Sequence, residues 1–129
     1  MIYNKKRYKE LVRRSLDFQN QGTHIYNENR EEYSELSKYN IAVEEQVFWA
    51  HREKFVVIMK NFLDNSNNFD EFETTFSLLY EEVKKEVNML ITDLEQIDKF
   101  QPSTKSYQFA STLGLIYHQF ESVEDEYCT

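Results

Sequence analysis

From Phe69 to Ile97 the apolar residues return at helical intervals: Phe69, Phe72, Phe76, Leu79, Tyr80, Val83, Val87, Leu90, Ile91, Leu94 and Ile97. A strand turns alternate residues to opposite faces, whereas this spacing keeps one face apolar for about eight turns of α-helix. A chain that builds one such helix must cover it with others. Little in the sequence interrupts helices: glycine occurs twice, at Gly22 and Gly114, and proline once, at Pro102. Sheets joined by tight turns need more punctuation than that. With ten Phe and nine Tyr there is ample material for a core. The expected fold is all-α: one domain over 1–129, an antiparallel bundle of four to five helices with long second and third members.

Three further stretches complete the reading. Residues 3–20 place Tyr8, Leu11, Val12, Ser15 and Phe18 on one stripe, with Lys6, Lys9 and Arg13 off it, giving an amphipathic helix with a basic flank. The segment Gln19–Glu28 around Gly22 reads as a linker. The second stretch, from Asn29 to Leu63, has capping residues clustered at Ser37–Asn40, where a break is expected. Beyond Ile41 it is apolar on two sides, with Val47, Phe48, Phe55, Ile58, Met59 and Phe62 on one and Trp49, Val56 and Leu63 on another, as for a helix sandwiched between neighbours. Asp64–Asn68 is a loop by composition, and Asn68 followed by Glu71 forms a capping box. Pro102 stops the third helix, and a last helix from Lys105 to Ser122 buries Phe109, Leu113, Ile116 and Phe120, with Val123 beyond them. The acidic stub after it leaves open whether the chain continues past Thr129.

The formal charge is −8, yet residues 1–16 carry six basic side chains against Glu10 alone. The acidic body repels phosphate backbones and suits a basic protein partner. The basic first helix is expected to pair mainly with that body, the other readings being an anionic membrane or RNA. A single cysteine, Cys128, allows no internal disulfide and no Cys/His metal box. No apolar run is long enough to span a membrane, and no signal-peptide pattern is present. The expectation is an intracellular, soluble protein. Richness in Asn, Lys, Ile, Tyr and Phe matches AT-rich genomes and points to a plastid or other organelle, with the cytoplasm as the alternative.

No catalytic chemistry is named. A di-metal helical bundle uses Glu-x-x-His pairs, and here only the reverse order occurs, His118 before Glu121. No glycine loop for phosphates and no Gly-flanked serine appears, so no cofactor and no enzyme activity is expected. Glu44 and His51 both fall on the apolar stripe of the second stretch and read as a polar contact, made with each other or with other helices. Along the third helix Glu71, Glu82, Glu86 and Asp93 lie on one flank, and these four are the candidate partner-binding residues, facing an Arg- or Lys-rich surface. The rival surface is apolar, around Leu78 and Met89 off the core stripe.

The run Phe55-Val56-Val57-Ile58-Met59-Lys60-Asn61-Phe62-Leu63, an Asn-rich loop, and then Phe69-Asp70-Glu71-Phe72-Glu73-Thr74-Thr75-Phe76 resembles the helix-loop-helix of small bacterial immunity proteins of the colicin D type. It is also similar to open reading frames of algal plastid genomes. The resemblance covers roughly residues 50–100 and carries over Glu71 alone. It implies an acidic helical protein that plugs the basic active site of a toxin nuclease. The second expectation is a structural or regulatory subunit of an organelle complex, held through an apolar helix face.

Overall fold

The structure, a computed structural model, describes residues 2–100 and 108–127, with side chains as far as Phe120. Pro102, the helix start at Lys105, Cys128 and the side chains of Glu121, Val123, Glu124, Asp125 and Glu126 lie outside the described residues. The described residues form helices joined by turns and short loops, with no strand. Among the described residues seven helices follow one another: α1 (Lys5–Asn20), α2 (Ile25–Glu28), α3 (Arg30–Ala50), α4 (Arg52–Leu63), α5 (Phe69–Leu90), α6 (Leu94–Lys99) and α7 (Phe109–Tyr127). They form two compact units, Met1–Glu44 with Val87–Pro102, and Glu45–Glu86 with Ser103–Thr129.

Short polar side chains set the helix ends. Asn4 Oδ1 accepts from the Arg7 amide at 3.1 Å and opens α1. At its other end Thr23 N–H reaches the Phe18 carbonyl and Gly22 N–H the Gln19 carbonyl, a Schellman closure that needs the left-handed φ of +83° at Gly22. The expected linker thus contains a turn and then the short α2. Asn29 Oδ1 accepts from Glu32 N–H at 3.1 Å to start α3. The loop after α4 repeats the Schellman pattern, with Ser66 N–H on the Asn61 carbonyl and Asn65 in the left-handed region. Asn68 Oδ1 then takes the Glu71 amide at 2.8 Å, so the asparagine cap expected there is present.

Two breaks differ from the sequence expectation. α3 passes through Ser37–Asn40 without interruption and ends at Ala50, with His51 as the turn before α4. Asn40 does not cap because its Oδ1 accepts the Tyr8 hydroxyl at 2.8 Å, while Leu36, Tyr39 and Val43 keep one continuous buried stripe. The third expected helix divides at Ile91–Thr92. The Thr92 hydroxyl lies 3.3 Å from the carbonyls of both Asn88 and Met89, and Asp93 Oδ1 caps the amides of Glu95 and Gln96. Local side-chain bonds here outcompete continuation of the helix.

In the first unit Tyr8, Leu11, Val12, Ile25, Leu36, Tyr39 and Ile97 are buried. Tyr8 stacks on Tyr39 at 5.0 Å, and Tyr3 meets Tyr8, Tyr39 and Phe100 edge-on. The basic helix α1 pairs within its own unit. Arg7 bonds both oxygens of Glu35, Lys9 contacts Asp98 at 2.8 Å, Arg14 contacts Glu32 at 2.6 Å, and Lys5 Nζ donates to the Asp98 carbonyl. In the second unit Phe48, Phe55, Phe72, Phe76, Tyr80, Val83, Leu113 and Phe120 form an aromatic core. Gly114 on α7 admits the Tyr80 hydroxyl, since a Cβ there would lie 3.3 Å from it. The two-sided reading of the second stretch fails beyond Trp49, because Val56 and Leu63 are 53% and 79% exposed and face outward on α4. Phe69 is likewise exposed rather than core.

Candidate functional site

The four carboxylates expected on one flank of a continuous helix have four different surroundings. Asp93 lies past the end of α5 and caps α6, so it is not on the α5 flank at all. Glu86 accepts or shares a proton with His51, its Oε2 lying 2.8 Å from His51 Nε2. Glu71 stands in the first turn of α5, where the negative charge suits the helix dipole. With the Asn67 amide turned to satisfy its neighbours, its nitrogen donates to Glu71 Oε2 at 3.1 Å. Glu82 is exposed and pairs with no basic side chain among the described residues.

Glu82 also sits where the apolar reading pointed. It lines an open groove of about 490 Å³ with Leu78, Leu79 and Thr75 from α5 and Lys54, Val57 and Ile58 from α4. Leu78 is 63% exposed and Val57 55%, so the groove presents aliphatic side chains to solvent beside an available carboxylate. The spacing explains the wall: Thr75, Leu78, Leu79 and Glu82 share one side of α5, away from the core stripe of Phe72, Phe76, Tyr80 and Val83. The acidic and apolar surfaces, rivals in the sequence, meet at Leu78 and Glu82. Met89, 73% exposed, lies outside this groove.

Leu78 is a ridge. On its other side a second recess of about 330 Å³ is lined by Glu73, Thr74, Ser77, Glu81, Tyr117 and Phe120. There the Tyr117 hydroxyl donates to Glu81 Oε1 at 2.8 Å. Helix α5 as a whole carries Asp70, Glu71, Glu73, Glu81, Glu82 and Glu86 against Lys84 and Lys85, so the field over it is negative.

Of the polar pair singled out in the second stretch, His51 finds its partner in Glu86, and the buried acid is Glu45 rather than Glu44. Glu45 is 7% exposed, and its carboxylate accepts from the Ala110 amide at 2.8 Å, the Ser111 amide at 3.3 Å and the Ser111 hydroxyl at 3.0 Å. It caps the start of α7 from another helix, α3. No group of three or more His, Cys, Asp or Glu side chains among the described residues is arranged to hold a metal ion. No described helix is long and apolar enough to cross a membrane.

The chain matches no family model, no curated protein and no solved structure. The residues that sequence reasoning missed are Lys54 and Val57. The signal for the second was present: four consecutive apolar residues, Phe55 to Ile58, cannot all face one core from a helix, so some of them must leave it.

Proposed function

We propose that the protein is a non-catalytic binding protein that takes a basic protein partner on the α4–α5 groove. Its closest functional model is an immunity-like inhibitor that covers the basic surface of another protein, a nuclease among them. The observation that carries the reading is Glu82, an exposed carboxylate without a basic partner among the described residues, set beside exposed Leu78 and Val57. Apolar contact supplies affinity and charge supplies steering and register. A formal charge of −8 favours a basic partner over a neutral or acidic one. The available set is narrower than Glu71, Glu82, Glu86 and Asp93 together: Glu82 leads, Glu71 supports it, Glu86 is shared with His51, and Asp93 caps α6.

A photo-crosslinking residue at position 78 in the native source, with a control at exposed position 115, captures the partner. Association kinetics are then measured at two salt concentrations. The expected result is a basic protein whose on-rate falls as salt rises, and falls again in Glu82→Lys, because exposed charges are screened over about 8 Å at physiological salt. An on-rate indifferent to both overturns the proposal.

A second reading, a subunit of an organelle complex held through apolar surface, is favoured by the exposure of Val57, Leu63, Leu78 and Leu115. It expects salt-independent association that Leu78→Asp abolishes and Glu82→Lys leaves intact.

A further inference from the structure

The groove also says what shape its occupant has, an inference that rests on the reading above. Its walls are two helices, and the described residues offer no sheet edge to which a partner strand could add. Its apolar lining is aliphatic, Val57, Ile58, Leu78 and Leu79, without the aromatic slots that grip a polyproline segment. What remains among the common modes is a helix laid in a groove, its apolar stripe against the aliphatic floor.

The charges at the rim orient that helix. Pairings of Phe55 with Phe76 and of Phe62 with Phe72 show α4 and α5 running in opposite directions. Lys54, near the start of α4, and Glu82, one turn past Leu78 on α5, therefore both lie at the end of the groove remote from the Asp64–Asn68 loop. They occupy opposite walls, and no ion pair joins them. A helix set between them meets a positive charge on one side and a negative charge on the other. A second copy of this chain fits poorly, since each copy adds its own −8 charge and the α5 side is the more acidic wall.

We infer that the groove receives an α-helix of the basic partner, whose aliphatic stripe is flanked at one end by Arg or Lys facing Glu82 and by Asp or Glu facing Lys54. The charge order fixes which way the helix lies, because the reversed orientation carries its flanking charges to the other end of the groove and leaves Glu82 and Lys54 unpaired.

The test is a display library of a stable helical scaffold with one helix face randomised, beside a library of extended peptides. Both are selected against the full chain and counter-selected against Leu78→Asp, with circular dichroism used to check that this variant is folded. Helical clones with an aliphatic stripe, basic on one flank and acidic on the other, are expected. Their affinity should fall about tenfold or more in Glu82→Lys. The double exchange Lys54→Glu with Glu82→Lys should reject these clones and accept versions with the flanking charges exchanged. Leu78-dependent binders that are extended or indifferent to charge order overturn the inference and leave the groove a binding site. An absence of Leu78-dependent binders from either library overturns the proposed function as well. Concentration-dependent dimerisation of the protein alone, abolished by Leu78→Asp in sedimentation, assigns the groove to a second copy and overturns the inference.

Discussion

Glu45 shows how one side chain can anchor the start of a helix from another helix. Helix α7 begins after Gln108, whose φ of 62° is left-handed, and its first amides have no intrahelical partner. Glu45 reaches them from α3 and neutralises the positive end of the α7 dipole. Its removal leaves the buried Ala110 N–H without an acceptor, which costs about 1–3 kcal/mol. Glu45→Ala should therefore lower the free energy of urea unfolding by that amount, and Glu45→Gln, which keeps one acceptor oxygen, by less. Equal stability of Glu45→Ala and the parent would show that α7 is anchored by its apolar face alone. At Glu82 the opposite holds. It is exposed, so Glu82→Lys should change stability by less than about 0.5 kcal/mol while altering association.

At the scale of the element, α5 is the centre of the second unit. Phe76 is fully buried and meets Phe55 at 5.4 Å and Phe120 at 5.6 Å, ring centre to ring centre. Phe76→Ala should cost about 3–5 kcal/mol in denaturant unfolding, a large share of the roughly 5–15 kcal/mol typical of a domain. A loss under about 1 kcal/mol would mean that this face is not core. The stripe of α5 was legible because Phe72, Phe76, Tyr80, Val83 and Val87 repeat a period that only a helix satisfies. Its end was not legible, because Leu90, Ile91, Leu94 and Ile97 continue the same period across the turn that Thr92 and Asp93 make. Periodicity reports which side is apolar, not whether the backbone runs on. The same gap hid the site. Lys54 and Glu82 are far apart in sequence, and only the packing of α4 on α5 sets them on facing walls. Nor does composition separate Glu45 from Glu44, since one residue of helical rotation decides which is buried.

At the scale of the whole molecule, the two units differ in what holds them. The second rests chiefly on its aromatic core, with the Glu45 cap and the His51–Glu86 pair beside it, whereas the first relies more on ion pairs and tyrosine contacts. A hydrogen bond from Arg7 holds the Glu35 carboxyl below its ordinary value of 4.5, and one from Lys9 does the same for Asp98 relative to 3.8. A lowered carboxyl pKa contributes stability that is present above the unfolded value and is lost as pH falls through the folded one. Burial raises the pKa of Tyr3 and Tyr8 above 10.0, and this contribution has the opposite sign: it is complete below pH 10 and lost as pH rises. The first unit should hence be most secure between about pH 4.5 and 10, and should loosen first on either side. The carboxylates are exposed, so each tie is modest and weakened by salt. Amide protection factors measured by hydrogen exchange are expected to fall in α1 and α6 at pH 3 while those of α4 and α5 persist. Lys9→Ala should reduce the difference between pH 7 and pH 3 in α1, because the tie it removes is the one acid would break. If protection in α1 is lost no earlier than in α5, or if Lys9→Ala leaves the acid response unchanged, these pairs do not hold the first unit together.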